Sequence, residues 1–184
     1  MAGVKDRVLL PLAPSEDAFG LDPTPAEVRD FAAFYRQHLS AAVRLAYLLC
    51  GQQALAEDAV ADAFARMYPH WLHGTVDNSW SYLRRAVLNE VRNRHRHRRV
   101  ERREERRFTV APSENAPIDQ MADRDRLVAA LAALPPRQRA AVVLRYYGDM
   151  SEAAAAEALG ISTGSVKSSV SRGLARLRGL LGEE

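Results

Sequence analysis

The chain has 184 residues, 47% of them apolar, enough for one ordinary domain or two small ones with real cores, which excludes a wholly disordered protein. Its net charge of +3 hides an asymmetry: residues 84–107 hold eleven arginines against Glu90, Glu101, Glu104 and Glu105, while the remainder sums to −4, which excludes a uniformly basic coating protein. The longest apolar run, Val8 to Ala13, falls far short of the ~20 residues of a spanning helix and no small-residue cleavage site follows it, so neither membrane insertion nor secretion is expected.

Residues 1–25 carry Pro11, Pro14, Pro23 and Pro25 with no helical period, the pattern of a loosely held arm. Pro25 suits the start of a helix near Ala26. From Val28 to Leu49 the residues Phe31, Phe34, Tyr35, Leu39, Ala42, Leu45 and Leu49 recur at three- and four-residue steps, which predicts an amphipathic helix ended by Gly51. A second helix is predicted over Ala54–Tyr68, with Leu55, Ala59, Val60, Ala63, Phe64 and Met67 inward and Glu57, Asp58, Asp62 and Arg66 outward; Pro69 stops it.

Residues 70–78, with Trp71, Gly74, Thr75, Asp77 and Asn78, read as a loop, and Asn78 or Ser79 caps a long helix from Trp80 to about Arg99. Its apolar face is Trp80, Leu83, Val87 and Val91. The opposite face carries Arg85, Asn89, Arg92, Arg96 and Arg99, one basic stripe at steps of four and three. Such local basicity is the pattern of a gripped polyanion, set against the plainer reading of a solvated arginine-rich helix. Residues 101–122 combine mixed charge with Pro112, Ser113, Asn115 and Pro117, the composition of a linker.

A second domain begins near Asp123. Leu127, Leu131 and Leu134 mark one helix, Pro135-Pro136 breaks it, and Arg137–Tyr147 restarts until Gly148-Asp149 turns the chain. Ser151 caps a short helix ending at Leu159-Gly160, and Ser162 or Thr163 caps a final helix through Leu181. No alternating strand pattern occurs, so the expected fold is all-α: two small helical domains, 26–100 and 123–184, joined by the linker. The last two helices form a helix-turn-helix with Val166, Val170, Leu174, Leu177 and Leu181 inward and Ser165, Ser168, Arg172 and Arg176 on the far face, where small hydroxyls permit close approach to base edges. An ordinary helical hairpin with a serine-rich surface is the alternative.

Two sets of motifs carry a resemblance. Leu134-Pro135-Pro136-Arg137-Gln138-Arg139, Val142-Val143-Leu144-Arg145-Tyr146-Tyr147, Leu159-Gly160-Ile161-Ser162 and Gly164-Ser165-Val166-Lys167-Ser168, followed by residues 171–178, resemble region 4 of the extracytoplasmic-function (ECF) sigma factors of the sigma-70 family. Residues 56–64 resemble region 2.2, and residues 82–89 with the arginines after them resemble regions 2.3 and 2.4. The resemblance implies a transcription initiation factor that docks on core RNA polymerase and recognises promoter DNA, and many members of the family are held inactive by an anti-sigma factor, a further candidate partner. The single cysteine, Cys50, forms no internal disulfide and points to a reducing cytoplasm.

Carried onto this sequence, the resemblance implies that Glu57, Asp58, Asp62 and Arg66 meet the clamp helices of the largest polymerase subunit, with region 4 on the flap of the second largest. It implies −10 recognition and melting by Trp71, Asn78, Arg85, Asn89, Arg92, Arg96 and Arg99, and −35 reading by Thr163, Ser165, Lys167, Ser168, Arg172 and Arg176. Trp71 in the loop is the better stacking ring, since Trp80 points toward the apolar face. Ala61 stands where many relatives have glutamine, Ala154 where they have glutamate, and Asn93 where aspartate is frequent.

Other chemistry is weaker. His70 with His73, and His95 with His97, lack the third and fourth ligands of a metal site. Cys50 at the end of an apolar helix reads as an inert thiol. No nucleophile elbow or glycine-rich phosphate loop occurs, so no catalytic centre and no cofactor is expected. The alternatives are a helix-turn-helix regulator that never joins polymerase, for which the first domain offers no ligand pocket or receiver signature, and a protein-binding helical adaptor, against which the arginine segment argues.

Overall fold

Thr24 starts the first helix by reciprocal capping: its hydroxyl accepts the Glu27 backbone N–H, and the Glu27 carboxylate accepts the Thr24 N–H at 2.8 Å. Helix α1 (Pro25–Cys50) follows, with proline at its first position and Gly51 in the left-handed region at its end. The computed structural model describes residues 23–76, 78–104 and 121–182; the expected arm up to residue 22 and residues 105–120 of the expected linker lie outside them. Among the described residues there are seven α-helices and no strand.

Helix α2 (Gln53–Leu72) does not stop at Pro69, which lies inside it. An internal proline costs about 3 kcal/mol. The turn it allows seats Trp71 against Phe31 and Phe34, with ring centroids 5.5 and 5.1 Å apart, and Tyr68 against Phe31 at 4.8 Å, so aromatic packing offsets the lost backbone bond. Trp71 is therefore helical and half-buried, and the described non-helical residues before the next helix are 73–76 and 78. Helix α3 (Ser79–Glu104) is capped by Asn78, whose side-chain oxygen accepts from the Ser81 N–H at 2.9 Å. It runs five residues beyond the expected end.

The first three helices bury Leu45, Val60, Met67, Leu83, Val87 and Leu88 completely. Each such aliphatic side chain contributes roughly 1.5–3 kcal/mol. Trp80 joins the packing: it stacks on His38 at 4.7 Å with the planes 21° apart, and burial lowers the His38 pKa.

In the second unit, α4 (Met121–Ala132) turns its core face through Val128, Ala130 and Leu131, leaving Leu127 exposed where the spacing placed it inward. Pro135 precedes α5 (Pro136–Val142), which widens into a π-helical turn over Val143–Tyr147. The Gly148 N–H closes that turn onto Val143 O at 2.8 Å, and a Cβ on Gly148 would lie 2.8 Å from Leu144 O, so the wide turn ends on a residue without a side chain. Ser151 caps α6 (Glu152–Leu159) and Ser162 caps α7 (Thr163–Leu181), with Gly160 in the left-handed region between them.

The buried seam of α7 is Val166, Ser169, Gly173 and Leu177, with Val170, Leu174 and Leu181 half-buried beside it. The seam is displaced from the expected apolar stripe because small residues let α7 approach α5: a Cβ on Gly173 would stand 2.7 Å from the Val142 Cγ2. The two units close on one another. Tyr147 donates its hydroxyl to Ala41 O at 3.4 Å, Arg139 reaches Leu49 O at 3.1 Å, and Arg84 donates to Gly148 O.

Candidate nucleic-acid and polymerase interfaces

The basic stripe of α3 is partly occupied. Arg85 makes a forked pair with Glu157 of α6 at 2.6 and 2.7 Å, and Arg92 points at the carbonyl end of α6, 3.2 Å from Ala158 O and 3.5 Å from Leu159 O. Burial lowers the Arg92 pKa from its ordinary value. Asn89 is half-buried and Arg96 exposed; the Arg99 side chain lies outside the described residues. Asn78, expected among the −10 residues, has its amide oxygen engaged in capping, and with Trp71 it brackets the loop at 73–78.

The four outward residues of α2 do share one exposed face. Glu57 accepts from Gln53 at 2.6 Å, Arg66 pairs with Glu90 at 3.1 Å, and Arg94 of α3 binds Asp62 at 2.6 Å and Asp58 at 3.3 Å. The acids keep half or more of their side-chain surface in solvent, so the face can still meet a partner charge.

On α7, Thr163, Lys167, Ser168, Arg172 and Arg176 are exposed and Ser165 is half-buried. Ser162 Oγ accepts the Ser165 N–H at 3.2 Å and donates to Ser165 Oγ at 2.9 Å, which leaves the first turn ordered. Arg172 folds back onto Ser168, 3.1 Å to its carbonyl and 3.2 Å to its hydroxyl, and Lys167 pairs with Glu152 at 3.4 Å. The face thus presents hydroxyls and guanidinium groups outward from a helix backed by a tight helical hairpin.

Four residues escaped the sequence reading: Arg84, Glu157, Arg139 and Arg94. Arg84 is the most informative, buried at 8% exposure, bonded to Gly148 O and Ser81 Oγ, with its guanidinium 5.5 Å from the Trp80 ring. Burial lowers its pKa and Asp149 partly restores it. Its position four residues after Trp80 puts it on the apolar face of α3, a signal that the run of arginines hides. Nothing local marks Glu157, whose partner Arg85 is 72 residues away; Arg139 bonds the nearby carbonyls of Ala132 at 2.7 Å and Leu134 at 3.3 Å, but its contact with Leu49 O, 90 residues away, has no local signal.

A three-helix unit with a basic stripe and a second unit ending in a helix-turn-helix place the chain in the class of two-unit, all-α proteins. Residues 34–101 match the Sigma-70 region 2 family and residues 124–177 match Sigma-70, region 4. The chain is 37% identical to the RNA polymerase sigma-E factor of Streptomyces coelicolor over 155 residues, covering 83% of this chain and 86% of that protein. It is 32% identical to the ECF RNA polymerase sigma factor SigL of Mycobacterium tuberculosis over 164 residues, 83% and 89% of the two chains. Among solved structures it resembles the sigma factor RpoE of Bartonella quintana, determined with the anti-sigma factor NepR, at a TM-score of 0.72 and 26% identity over 84% of this chain and 98% of that one. The fold also resembles CnrH, determined with the cytosolic domain of CnrY, at a TM-score of 0.60 and 22% identity over 91% and 93% of the chains. The chain belongs to the ECF sigma factors of the sigma-70 family, the transcription initiation factors of RNA polymerase. None of its described helices is long and apolar enough to cross a membrane.

Proposed function

We propose that this ECF sigma factor divides promoter recognition between two surfaces and docks through a third, acting in the cytoplasm on core RNA polymerase. The exposed face of α2, with Glu57, Asp58, Asp62 and Arg66, meets the clamp helices of the largest subunit, where complementary charge sets encounter rate and register. The flap of the second-largest subunit takes the groove of about 330 Å³ beside Tyr146, floored by Val170 and Leu174; Tyr146 is 66% exposed, a large ring left in water.

Arg85, Asn89, Arg92, Arg96 and Arg99 track the −10 backbone, with affinity that falls steeply with salt. The loop between Trp71 and Asn78 receives an unpaired base. Thr163, Ser165, Lys167, Ser168, Arg172 and Arg176 read the −35 element in the major groove, the hydroxyls and Arg172 toward base edges and the flanking cations toward phosphate. An anti-sigma factor that covers these faces is a further partner, in keeping with the complexes of the two solved relatives.

The observation that carries this reading is the exposed hydroxyl and guanidinium face of α7, set on a Ser162-capped helix in the same chain as the acidic face of α2. Run-off transcription with purified core polymerase on pooled genomic promoter DNA tests it. Protein-dependent starts sharing two spaced upstream elements are expected. A chain that shifts duplex DNA alone but neither binds nor activates core polymerase would overturn it in favour of a stand-alone regulator.

A further inference from the structure

Glu90 is the one carboxylate that the fold buries among the described residues: it is 4% exposed on α3, and its Oε1 meets the Arg66 Nε of α2 at 3.1 Å. Arg66 is not buried with it, since 46% of its side chain stays in solvent. Such a pair does little for the fold. A carboxylate taken out of water loses more hydration than a half-exposed guanidinium returns, and an apolar side chain of the same shape would suit the site as well or better. Burial accordingly pushes the Glu90 carboxyl up, with Arg66 opposing.

What the pair fixes is a direction. An arginine on the outside of a helix samples many rotamers, and ordering it at an interface costs affinity. Anchored at Nε, Arg66 is ordered in advance, and its terminal nitrogens remain for a second carboxylate. One turn along α3, Arg94 serves the opposite sign, binding Asp62 at 2.6 Å and Asp58 at 3.3 Å. Asp58, Asp62 and Arg66 follow one another at four-residue steps on α2, so the line reads acid, acid, base. A partner reversed on this line sets like charges together. We propose that Glu90 is a positioning residue for polymerase docking: from the buried side of the α2 face it holds the Arg66 guanidinium ready for a carboxylate on core RNA polymerase, so that the face is bipolar and docks in one direction. The proposal rests on the reading of the α2 face as the docking surface.

Equilibrium binding of the full chain to purified core polymerase, read by competition against a fluorescein-labelled wild-type chain, tests this together with thermal unfolding. Glu90→Met, which keeps the shape and removes the charge, is expected to weaken docking about two- to ten-fold, the ordering cost of one long side chain, while melting stays level or rises. Arg66→Gln is expected to weaken docking at least as much, and adding Glu90→Met to Arg66→Gln is expected to change nothing further. Glu90→Gln, which can still accept the Arg66 N–H, is expected to show the same pattern at smaller size and decides the matter if the methionine chain fails to fold. A Glu90→Met chain that docks as wild type would overturn the proposal. So would a loss that persists in the Arg66→Gln background or that comes with lowered melting, since Glu90 would then act on the fold. If Asp58→Asn with Asp62→Asn weakens docking while Arg66→Gln does not, the proposal falls and the docking reading stands; if neither does, both fall.

Discussion

Arg94 and Asp62 are joined across the α2 and α3 helices at 2.6 Å, and the same guanidinium reaches Asp58 at 3.3 Å. The two acids proposed to dock on polymerase are therefore partly neutralised from within their own domain, yet stay half or more exposed. A pair this exposed contributes at most about 1 kcal/mol to stability, so Arg94 acts more on the field of the docking face than on the fold. Arg94→Ala is expected to lower the unfolding free energy by less than about 1 kcal/mol and to raise the association rate with core polymerase. Asp58→Asn with Asp62→Asn is expected to slow it, and high salt should shrink both differences. Stopped-flow mixing with labelled core polymerase reads these rates. A slower Arg94→Ala chain with unchanged melting would mean that Arg94 itself touches polymerase.

Glu90 is 4% exposed, and its carboxyl is raised above the usual value chiefly by burial, with Arg66 opposing. A raised folded pKa means that the fold favours the protonated acid. That contribution is fully present below the unfolded value of 4.5 and is lost as pH rises through the folded value. Glu90→Gln keeps the shape and removes the titration. The stability difference, variant minus wild type, is thus expected to move in favour of glutamine as pH climbs from acid toward neutral and then to level. Urea unfolding across that range measures it, and a flat difference would mean that Arg66 cancels the burial completely.

Arg172 lies against Ser168 in the free protein, 3.1 Å from its carbonyl and 3.2 Å from its hydroxyl, which holds the guanidinium on the outer face of α7. If it reads the −35 element, Arg172→Ala is expected to cost about 1–3 kcal/mol of promoter affinity and to relax preference at one base pair. Arg172→Lys should not restore the preference, because an ammonium lacks the forked donor pair. Competition binding against single-base variants of the mapped promoter reads both effects. A uniform loss across all variants would reassign Arg172 to phosphate.

What the sequence disclosed and what it withheld divide along range. The caps at Asn78, Ser151 and Ser162, the Gly51 and Gly160 stops and the inward faces of α1 to α3 follow from local periodicity and side-chain chemistry, and they were legible. Pro69 was misread because the aromatic contacts that repay it come from α1, some thirty-five residues earlier. The α7 seam was misplaced because Ser169 and Gly173 carry no hydrophobic signal; their smallness matters only against Val142. Likewise the arginine stripe is visible in the spacing, whereas its partner Glu157 depends on how two domains close.

Gly173 and Val142 give the sharpest test of the packing in the second unit. A Cβ on Gly173 would meet the Val142 Cγ2 at 2.7 Å, and Val142 is buried and β-branched, so it cannot swing aside. Gly173→Ala removes a flexible residue from a helix interior, which alone would favour the folded state by up to about 1 kcal/mol. The overlap is expected to win, because overpacking a filled core costs typically about 1–3 kcal/mol. Val142→Ala alone should also destabilise by leaving a void. Together the two changes exchange one methyl position for another, so the double variant is expected to be more stable than the sum of the single losses allows, with a coupling of about 0.5–3 kcal/mol. Thermal unfolding of the four chains measures that cycle. Additive losses would mean that α5 and α7 part to admit the new methyl, and Gly173 would then owe its place to something other than the close approach of these helices.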